Sequence, residues 1–277
     1  MSTADKPVVL FRDDLDTEGE RAIAAQHLPV VSYRSEVPKY AVVIGRYSVL
    51  PFYEELDNEL RLTRTARLIN TPTEHRWIAD ALQWSGVGGV LDGLTPRSYS
   101  EWGRIPEGAY VVKGRTNSRK HQWNGRMFAP TRAAVADVCR RLWDDPMLSD
   151  QGLIVRPYVP LVQLGEGLNG LPITNEWRTF WLRTEAGAAC LGFGFYWASH
   201  PELASAARWT TEAWAVAQEA AARVCEHATF FVLDLAETAD GRWIVIEVND
   251  GQMSGLSMVN AAAFYTRLRV VLEGPPR

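Results

Sequence analysis

The chain has 277 residues, 47% hydrophobic and 22% charged, and a formal net charge of −4, a length that implies two units around separate cores and a balance that argues against bulk nucleic acid as a partner. No run approaches eighteen consecutive apolar residues, so no membrane partner is expected, and the start "MSTADKPVVLF" lacks the basic-then-apolar pattern of a secretory signal. Cys139, Cys190 and Cys225 are widely spaced and odd in number, which fits a reducing cytoplasm and argues against a disulfide framework or a cysteine zinc site.

In chain order, "PVVLF" reads as a buried strand, "EGERAIAAQH" as a helix, "YAVVIG" as a second strand and "LPFYEELDNELRLT" as a second helix. "NTPTEHRWIADALQWSG" reads as one further helix with Thr73 as N-cap and Gly86 as its stop. Strands alternating with helices predict a mainly parallel α/β sheet for residues 1–95, with no dinucleotide glycine fingerprint after the first strand. "LDGLTPRSYSEWGRIPEG" breaks the pattern, and residues 96–277 read as α+β. They contain strands "AYVVKGR" and "RMFA", helix "TRAAVADVCRRLW", the extended "GLIVRPYVPLV", a hairpin around Glu185–Gly187 and helix "TEAWAVAQEAAARVCEH".

The last hairpin, "VLDLAETADGRWIVIEVNDGQ", carries the densest chemistry. Taking Asp240–Gly241 as a two-residue type I′ turn pairs Ala239 with Arg242 and sets Asp234 opposite Glu247, with Asn249 on the same face. The other face then reads Phe231, Leu233, Leu235, Ile244, Ile246 and Val248, a core face. Paired carboxylates with an amide oxygen suit a hard divalent ion such as Mg²⁺; a one-residue slip would instead give a solvated strand face.

Lys113 ends an alternating strand and Lys120 follows beyond a polar segment; both read either as solvated lysines or as point charges for phosphate. Glu176 and Arg178 share a face of the strand "NEWRTFW", where Arg178 pairs either with Glu176 or with a polyphosphate. The histidines are dispersed: His121 is the one beside these residues, and a surface role fits it. No P-loop, nucleophile elbow, paired-histidine or Cys–His pattern is present.

The order lysine, lysine, Glu-x-Arg, Asp, Glu-x-Asn resembles the ATP-grasp superfamily, in particular its clade marked by one arginine and two lysines. The likeness covers about residues 108–260 and is most specific at "DLAETADGRWIVIEVNDGQMSGLS". It implies an N-terminal α/β, Rossmann-like pre-ATP-grasp domain and then a two-lobed ATP-grasp module, with a lid lobe over about 108–157 and a C-terminal lobe over about 158–272. It also implies ATP with Mg²⁺ or Mn²⁺, the metal held by Asp234, Glu247 and Asn249. Lys113, Lys120, Arg156, Tyr158, Glu176 and Arg178 would contact nucleotide, with Arg178 and Lys120 acting in catalysis. "IVRPYV" matches the adenine connector, although family members often carry Glu where this chain has Arg156 and Pro157. The loop "NDGQMSGLS" would lie by the transferred phosphate or the acceptor. The activity implied is a carboxylate–amine ligase working through an acyl phosphate, on a small-molecule or peptide carboxylate and an amine-type nucleophile. A phosphotransferase acting on a non-carboxylate acceptor and a lapsed nucleotide-binding module are the alternatives.

Overall fold

The computed structural model describes residues 6–12, 19–49, 52–116, 122–144 and 152–274. The first sheet joins β1 (Pro7–Leu10), β2 (Val30–Val31), β3 (Val42–Gly45) and β4 (Arg67–Leu68) in the order β2-β1-β3-β4, all parallel. The runs "VVL" and "VVI" have no polar alternation because both faces of this sheet are covered. Val8, Leu10 and Val43 pack under helix α2 (Tyr53–Arg64), while Val9 and Ile44 face the other way. There they meet the helices α1 (Glu20–Ala24) and α7 (Ala261–Glu273), the latter returning from the end of the chain.

Helix α3 (Pro72–Ala79) starts earlier than the sequence suggested. Its N-cap is Thr71, whose hydroxyl accepts from Glu74 N at 3.2 Å while Glu74 Oε2 accepts from Thr71 N at 2.7 Å. Pro72 at the first helical position loses no hydrogen bond, which favours Thr71 over Thr73 as the cap. Nor is the helix continuous: Asp80 turns extended and caps a separate α4 (Ala81–Ser85), accepting from Leu82 N at 3.1 Å.

A second, antiparallel sheet, β6-β5-β7, is made of β5 (Tyr110–Gly114), β6 (Phe128–Ala129) and β7 (Leu153–Pro157). Helix α5 (Val135–Trp143) closes its core with Val135, Val138, Cys139 and Leu142. A small hairpin, β8 (Gln163–Glu166) and β9 (Pro172–Thr174), leads into the largest sheet. That sheet is antiparallel, ordered β11-β10-β12-β13, from β10 (Glu176–Thr184), β11 (Gly187–Phe195), β12 (Phe230–Glu237) and β13 (Trp243–Asp250). Helix α6 (Thr211–Val224) lies on one face through an alanine stripe, Ala213, Ala217, Ala220 and Ala221, whose small side chains allow close approach. Helix α7 covers part of the opposite face with Phe264 and Leu268 against Phe180, Phe230 and Val232. Ile78, Ala81, Trp84 and Leu91 join the α6-side core.

The β12–β13 register reaches the expected pair by a different route. Ala239, Asp240 and Gly241 all belong to the loop, Thr238 N bonding Arg242 O at 2.8 Å, with Gly241 at φ +83°. Leu235 therefore pairs with Val245, and Ile246 bulges out before Asp234 meets Glu247. The bulge reverses the alternation of side chains, so Ile244 and Ile246 are not core residues of the α6 face as the sequence suggested; Trp243 and Val245 take those places. The two isoleucines line a cleft on the other side.

Candidate active site

Asp234 and Glu247 are placed opposite each other by the strand pairing, and each is met by a cation from another strand. Arg178, in register with Asp234 on β10, grips it with a two-pronged fork, Nε–Oδ1 and Nη2–Oδ2 both at 2.8 Å. The third guanidinium nitrogen donates to Gly255 O at 2.9 Å, and the guanidinium carbon lies 4.8 Å from the centre of the Tyr196 ring. Burial pulls the Arg178 pKa down, but the charge of Asp234 outweighs it and holds the group above the usual arginine value. Lys113, at the end of β5, reaches across from the smaller sheet to Glu247 Oε1 at 2.5 Å. Asn249 donates its Nδ2 to Asp234 Oδ2 at 3.2 Å, leaving Oδ1 as the atom offered to a cation.

Glu176 is buried on the same face as Arg178, and the arginine's carboxylate partner is Asp234 rather than Glu176. Arg156 on β7 is buried too: its Nε and Nη2 donate to Ser98 and Ser85 at 3.2 and 3.1 Å, and its Nη1 to Ile246 O at 2.7 Å. Burial, only partly answered by Glu247, lowers its pKa to about 10. Tyr158 stacks edge-on against Phe128 with ring centroids 5.1 Å apart, next to Trp123. Lys120 and His121 lie outside the described residues.

Two cavities meet at the Lys113–Glu247 pair. One is a cleft between the small and large sheets, walled by Val111, Met127, Tyr158, Leu171, Ile244 and Ile246, with Arg156 and Glu176 also in its lining. That apolar lining suits a flat heterocycle. The other is a polar chamber bounded by Ser48, His75, Arg115, Asn249, Asp250 and Ser254. The sequence did not single out His75, Arg115 or Trp84 for the site. Trp84 lies beneath both cations, its ring 6.0 Å from Lys113 Nζ and 5.4 Å from the Arg156 guanidinium. Asp250, Met253 and Ser254 belong to the loop "NDGQMSGLS" that the resemblance put by the transferred phosphate or the acceptor; His75 sits far from it in the chain and carries no local signal.

For a divalent ion, Glu247 and Asn249 fit well, both at the chamber wall and two positions apart on one strand. Asp234 is fully buried with both oxygens held by Arg178, so it would serve as a ligand once that fork opens. Among the described residues no three His, Cys, Asp or Glu side chains are grouped to hold a metal ion.

An apolar cleft between the small and large sheets thus opens onto a charged seam and a polar chamber. Residues 101–268 match the model of an ATP-grasp domain, the third family of its clade, and the chain belongs to that family. Among solved structures, the chain is similar to the D-cycloserine synthetase DcsG, with TM-score 0.58 and 15% identity over 95% of this chain and 98% of that one. It is similar to an L-amino acid ligase from Bacillus licheniformis, with TM-score 0.58 and 12% identity over 97% and 74%. A third is an N5-carboxyaminoimidazole synthase from Aspergillus clavatus in complex with ADP, at TM-score 0.55 and 10% identity over 99% and 78%. At these identities the likeness is one of fold. No curated protein matches the chain significantly. Among the described residues no helix is long and apolar enough to cross a membrane.

Proposed function

We propose that the chain joins a small-molecule or peptide carboxylate to an amine, with ATP activating the carboxylate as an acyl phosphate and leaving as ADP. The observation that carries this reading is the position of Lys113 and Glu247 on the shared wall of the apolar cleft and the polar chamber. Adenine in the cleft, against Tyr158, Ile244 and Ile246, would send its phosphates toward that seam, and a carboxylate in the chamber would meet them there. Lys113, Lys120 and Arg178 neutralise charge on the β- and γ-phosphates, and Arg178 is poised to exchange Asp234 for a phosphate because its fork suits either anion. Arg156 fixes the carbonyl of Ile246 beside Glu247, and Glu176 edges the cleft near the ribose. Glu247, Asn249 and, once released, Asp234 would hold Mg²⁺, which supplies charge neutralisation to the phosphates. The likeness to a D-cycloserine synthetase and an L-amino acid ligase supports amino-acid-like substrates.

The test is isotopic. With a carboxylate labelled with ¹⁸O, one label should pass to the released phosphate and ADP should be the nucleotide product. Label in AMP would replace the acyl phosphate with adenylation. ADP with a stable phosphorylated product and no condensation would show a phosphotransferase instead.

A further inference from the structure

We propose that His75 is the general base that takes a proton from the amine nucleophile in the polar chamber, an assignment that rests on the ligase reading above. The capping box of α3 sets this helix's first turn over the end of β13, and His75 is its fourth residue. Its ring stacks on Tyr53 with centroids 4.0 Å apart and planes within 3°. Nδ1 lies 3.0 Å from Asp250 Oδ2. Asp250 is itself fastened: Oδ1 accepts from Asn70 Nδ2 and from Gln252 N, both at 2.9 Å. Tyr53 is fastened as well, donating to Asn70 O and accepting from Gln252 Nε2, each at 2.7 Å. Ring angle and tautomer are thereby set: a carboxylate acceptor at Nδ1 makes that nitrogen the N–H donor, and Nε2 carries the lone pair.

His75 lines the chamber, and with Nδ1 engaged by Asp250 the ring nitrogen left for a substrate is Nε2. The charged groups around the same space are Asp250 at the ring, Glu247 on β13, Lys113 at the end of β5, and Arg115, whose side chain is held by Asp80. Lys113 and Arg115 are cations paired with Glu247 and Asp80, which leaves the His75 imidazole as the group of the set assigned to take the proton.

The proposed step balances as follows. An α-amino group, with a pKa of about 8, enters mainly as ammonium and cannot attack. One N–H bond breaks and its proton goes to His75 Nε2. The freed lone pair forms the C–N bond at the acyl carbon, the C–O bond to phosphate breaks, and the electron pair leaves with phosphate. The second nitrogen proton departs with the phosphate, and the imidazolium returns its own to solvent.

A purely structural His75 would brace α3 against Asp250, so the deciding variant is His75→Asn, whose amide can still donate to Asp250. Wild type and variant are given ATP, Mg²⁺ and a pool of the twenty L- and D-amino acids as carboxylate donors. The nucleophile is either the pool's own amino groups or hydroxylamine, which is unprotonated at neutral pH and needs no base. The expected result is a fall of a hundred-fold or more in the ratio of amide to hydroxamate, within the usual range for a lost general base. An unchanged ratio, whether both products persist or both fall together, overturns the assignment and leaves His75 as a brace. If wild type makes neither product nor amino-acid-dependent ADP, the ligase reading itself fails, and that outcome is recognisable without the variant.

Discussion

Asp234 and Glu247 face each other across two strands, and what makes this tolerable is that each already has a cation. The repulsion that the sequence implies is offset by Arg178 and Lys113, which the two carboxylates in turn hold in place. It follows that Glu247→Gln should abolish turnover and also lower the melting temperature in chelator, since the buried Lys113 loses the Glu247 carboxylate. A loss of about 1–3 kcal/mol corresponds to a drop of several degrees for a chain of this size. Thermal melts in EDTA together with phosphate release measure both; a rise in melting temperature would mean that carboxylate repulsion dominates. Arg178→Lys keeps the charge and loses the fork, so ATP affinity should fall roughly ten- to a hundred-fold, about 1.5–3 kcal/mol, with urea stability also reduced because Asp234 loses a donor. Calorimetric titration with ATP matching wild type would make Arg178 structural only. These pairings were half legible: the alternation of Glu176, Arg178, Asp234, Glu247 and Asn249 puts them on one face, but which carboxylate takes the arginine depends on how β10 pairs with β12. His75 was not legible, because its meaning comes from Asp250, on a strand at the far end of the chain.

At the scale of elements, the sequence located the longer strands and the helices α2, α5 and α6, but named neither α7 nor the short strands β2, β4, β8 and β9, and missed where one helix breaks. The stretch from Pro72 to Ser85 has a continuous apolar periodicity, yet Asp80 divides it, because its carboxylate gains more by capping α4 and holding Arg115 than by continuing a helix. The Ile246 bulge was equally invisible: turn chemistry names Asp240–Gly241 but does not say whether Ala239 joins the loop, and the bulge then restores the register. Asp80 allows a pH test of this joint between α4 and β5. Burial raises its pKa, but Arg115, the Leu82 N–H and Gln83 together overcome this and leave it below the usual carboxylate value. The folded pKa is thus below the unfolded one of about 4, so the contribution is complete above that pH and disappears as the pH falls through the folded value. Asp80→Asn keeps an N-cap of similar strength and removes only the charge. The variant should be less stable than wild type at pH 7, and the gap should close below about pH 4. Urea titrations at pH 7, 5 and 3 decide it; a gap that stays constant would place the effect in the cap instead of the charge.

On the scale of the whole molecule, a division drawn at residue 95 from the composition break passes through one hydrophobic core. Ile78, Ala81, Trp84 and Leu91 precede it, and all four pack with Phe231, Leu233 and Val245 of the large sheet. Asn70 completes the backbone pairing of Phe230, donating to its carbonyl at 2.7 Å and accepting its N–H at 2.8 Å. Arg46 holds Glu20 at 2.8 Å and also donates to Gly251 O, while Tyr265 of α7 bonds the same Glu20. The first sheet therefore sits on the large sheet through shared apolar side chains and buried, fully engaged charges. Removing one partner of such a buried charge pair costs several kcal/mol, because the other is left uncompensated. By contrast, the small sheet with α5 has a core of its own, built from Tyr110, Val112, Val138 and Leu142. Calorimetry of the full chain should accordingly show the first and large sheets melting in one cooperative transition, with the small sheet and α5 free to melt earlier. A fragment of residues 96–277 should lack that main transition, since Phe231, Leu233 and Val245 would face water where Ile78, Ala81 and Trp84 had covered them. Hydrogen exchange on the full chain gives the same test by residue, with equal protection expected in β3 and β12 and less in β5. A fragment that melts sharply, or protection in β3 far below that in β12, would mean that the two sheets fold as independent units.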